Sequence, residues 1–143
     1  MGGYFLIKYS LLFISMLYFI QRVRPVIGLE VIDAGSLAHL LNDNSPTLKI
    51  LDVRDQVDFY AGHIGRALNI SLGRLPYVKK TELLVDDKII IIADSKNDGR
   101  KAARILKKSG YRNLSYLDKG MFAYENLQKT KSNYCRLQAC KSI

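Results

Sequence analysis

Residues 88–93 read Lys-Ile-Ile-Ile-Ile-Ala, and this run narrows the fold more than any other feature of the chain. A strand with one face in water alternates apolar and polar residues. An unbroken β-branched run instead belongs to a strand covered on both faces, as in parallel sheets flanked by helices.

The flanking segments alternate in the same sense. Val26–Ile32 reads as a short strand, and Asp33 is placed to cap a helix over Ala34–Leu41, where Leu37, Leu40 and Leu41 recur at helical spacing. Asn42-Asp43-Asn44 closes that helix. Leu48–Val53 predicts a strand, Asp55–Tyr60 a short helix stopped by Gly62, Leu68–Ile70 a strand, and Gly73–Lys80 a helix following Pro76. Asp86-Asp87 makes a turn into the isoleucine strand. A helix over Gly99–Ser109, a strand over Leu114–Leu117 and a final helix over Gly120–Leu127 follow, and Lys129–Ile143 reads as a loose tail. There is no internal repeat. Such alternation implies one α/β domain with a mostly parallel sheet covered on both sides. The chain divides into an N-terminal segment (1–24), a domain (25–128) and a basic polar tail (129–143).

Two motifs stand close together: Leu51-Asp52-Val53-Arg54 with Asp58-Phe59, then Gly62-His63-Ile64 with Ala67-Leu68-Asn69-Ile70. With Lys88–Ala93 and Lys101–Tyr111 they make the stretch from about Leu29 to Leu127 resemble the rhodanese family of sulfurtransferases. The resemblance implies a small α/β domain with a five-stranded, mostly parallel sheet. It also implies a cysteine at the end of the isoleucine strand, which carries a persulfide in relatives that do chemistry. Aligned without gaps on the helix and Ser109-Gly110-Tyr111, that position is Ala93. Ala93 has no nucleophile.

A thiolate accepts and passes on sulfur, and neither Ala93 nor Asp94 does so. Asp94, Ser95, Lys96, Asn97, Asp98, Gly99 and Arg100 remain a candidate ligand-binding loop, because amides at a helix N-terminus survive the loss of a thiol. Alternatively, Asp98 or Asn97 merely caps the helix. A two-place shift sets Ser95 five residues before Arg100, one short of the Cys-to-Arg spacing of phosphate-handling relatives. A serine without a neighbouring base is a poor nucleophile. Asp52, Arg54, Asp58 and His63 read as structural: Arg54 as the bidentate partner of a carboxylate, His63 as a neutral imidazole bonded to loop backbone. Gly65-Arg66 stands where the family has Pro-Gly. Tyr124 stands where relatives often carry tryptophan and reads as a core aromatic. No catalytic residue, metal site or cofactor is assigned.

The segment Tyr4–Ile20 is apolar except for Lys8, its tyrosines and two serines. As a helix it covers about 25 Å, the short end of a bilayer span. It runs into Gln21-Arg22-Val23-Arg24-Pro25, which lacks the small-residue site of a cleaved signal peptide. Leu6 stands where N-myristoylation wants Ser or Thr. The expectation is a single-pass anchor, with Arg22 and Arg24 holding the domain on the cytoplasmic side of the inner membrane.

The formal charge of +9 is uneven: from Lys96 onward twelve Lys and Arg face only Asp98, Asp118 and Glu125. Arg100, Lys101, Arg104, Lys107 and Lys108 fall within about 120° of helical arc. They form either a solvated face or a docking surface for anionic lipid or an acidic protein. No zinc spacing or aromatic interleaving supports nucleic-acid binding. Cys135 and Cys140 form no disulfide framework and, with His39 and His63 elsewhere, no zinc set. The sequence thus reads as a membrane-anchored binding or scaffolding module. The alternative is a sulfur-relay protein using the thiol of Cys135 or Cys140.

Overall fold

The computed structural model describes residues 3–23, 26–43 and 45–139. Five parallel strands, β1 (Leu29–Ile32), β2 (Leu48–Asp52), β3 (Ala67–Asn69), β4 (Lys88–Ile92) and β5 (Leu114–Leu117), form one sheet in the order β1-β5-β4-β2-β3. The isoleucine strand β4 lies at its centre, with Ile91 opposite Leu51 on one side and Tyr116 on the other. Ile89 to Ile92 are fully buried.

Alternation of side chains across β4 divides the core in two. Ile89 and Ile91 join Leu51, Val53, Leu75, Ala102, Ala103 and Leu106, beneath α4 (Leu75–Glu82) and α5 (Lys96–Lys108). Ile90 and Ile92 join Ile32, Leu37, Ile50, Ile64 and Leu117, beneath α2 (Ala34–Asn42) and α6 (Gly120–Ala139). A short α3 (Gln56–Ala61) follows β2. The expected α/β class is observed, as are the five strands that the resemblance implies, and the sheet expected to be mostly parallel is parallel at every pairing.

Several boundaries differ for local reasons. β1 begins at Leu29, because Gly28 takes φ of 72° and the Leu29 N–H donates to the Val26 carbonyl, closing a turn. α4 begins at Leu75 and includes Pro76 in its first turn, where a missing N–H costs no helical bond. α5 starts at Lys96, ahead of the expected Gly99. The expected loose tail is helical as far as Ala139: α6 does not stop at Leu127, since neither glycine nor proline interrupts the chain beyond Gly120.

The N-terminal helix α1 (Gly3–Val23) exposes every described side chain from Leu6 to Gln21. Among the described residues no helix is long and apolar enough to cross a membrane. The span expected over Tyr4–Ile20 is therefore not supported; Lys8, Ser10, Ser15 and the tyrosines dilute its apolar run.

Candidate functional site

Parallel strands bring the loops after β2, β3 and β4 to one edge of the sheet, where crevices form in open α/β folds. A depression of about 210 Å³ lies there, lined by Val53, Arg54, Asp55, Leu72, Ala93, Asp94 and Asp98.

The floor is built by the end of β2. Arg54 Nη2 donates to Asp52 Oδ2 at 2.8 Å, and Nε lies 3.1 and 3.2 Å from the two carboxylate oxygens. The Arg54 backbone N–H adds a bond of 3.0 Å to Asp52 Oδ1. Nη2 also donates to the Gly62 carbonyl at 2.7 Å, tying the strand end to the close of α3. Asn69 Nδ2 donates to the carbonyls of Asp52 and Arg54, locking β3 to the same loop. Both members of the ion pair are buried. The hydrogen bond to Asp52 holds the Arg54 pKa above its ordinary value against the opposing effect of burial, and the charges of Asp52, Asp94 and Asp58 add to it.

The expected bidentate carboxylate partner of Arg54 is therefore Asp52. Asp58 is exposed in the first turn of α3 and acts on Arg54 through charge at a distance. His63 is exposed; its Nδ1 lies 3.0 Å from the Phe59 carbonyl and its ring stacks on Phe59 at 4.0 Å. That carbonyl belongs to α3, whereas the sequence places the partner in a loop.

β4 delivers Ala93, 1% exposed, to the crevice. Its methyl belongs to the apolar cluster under α4 and α5. Its carbonyl crowds Gly120, where φ is 51° and a Cβ would collide with it. Only Ala93, Asp94 and Ser95 separate β4 from α5, so Lys96 to Arg100 of the expected loop are helical. The helix cap is Ser95, not Asn97 or Asp98. Ser95 Oγ accepts from the Asp98 N–H at 3.1 Å and donates to Asp98 Oδ2 at 2.6 Å, a reciprocal cap that begins the helix three residues early. Asp98 also receives Lys101 Nζ at 2.8 Å. Lys101 first, then Ser95, hold the Asp98 carboxyl below its ordinary value. Burial raises Asp94 instead, with Asp58, Asp52 and Asp55 adding to the rise and Arg54 opposing it. Gly99 lies under the Tyr116 ring, with no room for a Cβ.

Tyr124 packs partly buried against the second apolar cluster, and its hydroxyl accepts from Gln128. Cys135 lies in the distal part of α6; Cys140 lies outside the described residues. Sequence reasoning missed the clamps made by Asn69 and the Gly62 carbonyl. It also missed the cap at Ser95, although the Ser-x-x-Asp spacing signals it.

The model of the rhodanese-like domain family matches residues 33–127. The chain belongs to the rhodanese-like family. This rhodanese-like protein is 34% identical over 79 residues to the putative sulfur carrier protein YrkF of Bacillus subtilis, a match covering 55% of the chain and 42% of that relative. The chain thus spans less than half the length of this curated relative. Among solved structures it resembles the Alr3790 protein of Anabaena sp., with a TM-score of 0.64 and 26% identity over 67% of this chain and 77% of that one. It shares the fold of the single-domain sulfurtransferase RDL2 of Saccharomyces cerevisiae: TM-score 0.63, 12% identity, 72% of this chain and 94% of that one.

Proposed function

We propose that this rhodanese-like protein is a membrane-anchored binding or scaffolding module that does not transfer sulfur. One observation carries the reading. The residue that β4 presents to the crevice is Ala93, a methyl group, where family chemistry needs a thiolate. Ser95, the other candidate, commits its hydroxyl to capping α5. Asp94 and Asp98 line the same depression and oppose an anionic persulfide. The large apolar side chains that α1 exposes, among them Leu6, Leu11, Leu12, Phe13 and Phe19, support an anchor, since such side chains gain from being covered. Arg22 and Arg24 favour a domain on the cytoplasmic face of the inner membrane. The basic face of α5 then serves as a docking surface for acidic protein or anionic lipid.

A second reading, sulfur relay through Cys135 or Cys140, draws on the likeness to a sulfur carrier. The Cys135 backbone stands about 22 Å of helical rise beyond Gly120 in α6.

The full chain in nanodiscs, given thiosulfate and cyanide, is expected to form no thiocyanate and no persulfide adduct in the loop. Ala93→Cys should gain an adduct, held down because Asp94 and Asp98 raise the new thiol's pKa. Activity of the unsubstituted chain that disappears in Cys135→Ser or Cys140→Ser supports the relay; activity that survives both overturns the reading of the crevice.

A further inference from the structure

A separate depression of about 270 Å³ lies where the end of α1 meets α5, lined by Tyr18, Gln21, Asn97, Arg100, Lys101 and Arg104. Three of these six are cations from one helix face, and Tyr18, Gln21 and Asn97 add uncharged hydrogen-bonding groups. No carboxylate lines it, although Asp98 beside it pairs with Lys101 at 2.8 Å. Lys107 and Lys108 continue the charge along α5. Guanidinium groups present paired N–H donors that match phosphate oxygens.

Position decides the ligand class. The apolar run of α1 ends at Ile20, and Gln21 lines the pocket with Tyr18 one turn earlier. An embedded α1 would bring this pocket to the level where tyrosines and basic residues meet lipid headgroups. We propose that it seats the phosphate of an anionic phospholipid. The inference rests on α1 lying in the membrane. An acidic protein suits the pocket less well, because part of its wall is the very end of the apolar helix.

The test places the full chain in phosphatidylcholine nanodiscs with and without phosphatidylglycerol, and follows acylation of Lys101 by a water-soluble amine reagent using mass spectrometry. Lys129 and Lys131, exposed on α6, are the internal reference. Phosphatidylglycerol should slow Lys101 about fivefold relative to them, the effect of roughly one basic contact at an anionic surface. Arg100→Gln with Arg104→Gln should abolish the slowing while the chain stays in the membrane through an alkaline wash. Equal slowing in that variant means diffuse surface charge and overturns the pocket. The same protection from inorganic phosphate in phosphatidylcholine alone overturns the lipid assignment. Retention without any effect of phosphatidylglycerol overturns the lipid site and leaves the anchor standing. Release from both membranes by the wash overturns the anchor, and the lipid site with it.

Discussion

Asp52 is 1% exposed and Arg54 8% exposed, so each neutralises a charge that the fold would otherwise bury alone. Desolvating the pair is expensive, and its Coulomb energy offsets that cost only because Gly62 and the Arg54 backbone satisfy the remaining geometry. Arg54→Met strands the Asp52 carboxylate and is expected to lower stability by about 3–5 kcal/mol in urea unfolding. Adding Asp52→Asn should return part of that loss, because the two changes share one interaction. A loss under about 1 kcal/mol in Arg54→Met would show the pair to be incidental to the fold.

The start of α5 depends on two side chains, Ser95 and Asp98. Ser95→Ala is expected to cost about 1 kcal/mol by removing the cap. Its pH dependence has a definite sign. Asp98 titrates lower in the fold than in the unfolded chain, so its contribution is complete above the usual carboxylate range and is lost as pH falls through the folded value. Asp94 is raised, so protonating it favours the fold as pH falls. Asp98→Asn should therefore flatten the acid-side decline measured by thermal unfolding between about pH 5 and pH 2. A steeper decline would reverse this assignment.

At the scale of the molecule, the two apolar clusters lie on opposite faces of one sheet, and among the described residues none of their members comes from α1. A chain truncated to residues 26–139 should therefore unfold in a single cooperative transition. Its Tm is expected to lie within about 4 °C of the full chain's. It should also lose retention on lipid vesicles. Aggregation or a molten state of the truncated chain would mean that α1 completes the core.

The sequence by itself determined the features that depend on local pattern. Four isoleucines in a row have one stable setting, between two helical layers, and Asp33 caps α2 because an acceptor before a helix meets its free amides. The absence of a thiol at Ala93 is equally local, since side-chain chemistry does not depend on the fold. The tertiary structure decided the rest. Arg54 could have paired with Asp52 or Asp58, and the choice follows from where β2 ends relative to Gly62 and Asn69. The crevice joins Val53, Leu72 and Ala93, which are far apart in sequence, only because β4 inserts beside β2 and β2 beside β3. The pocket between α1 and α5 depends on helix placement that no periodicity encodes. Periodicity reports which face of an element is buried; strand order and packing decide which elements share a site.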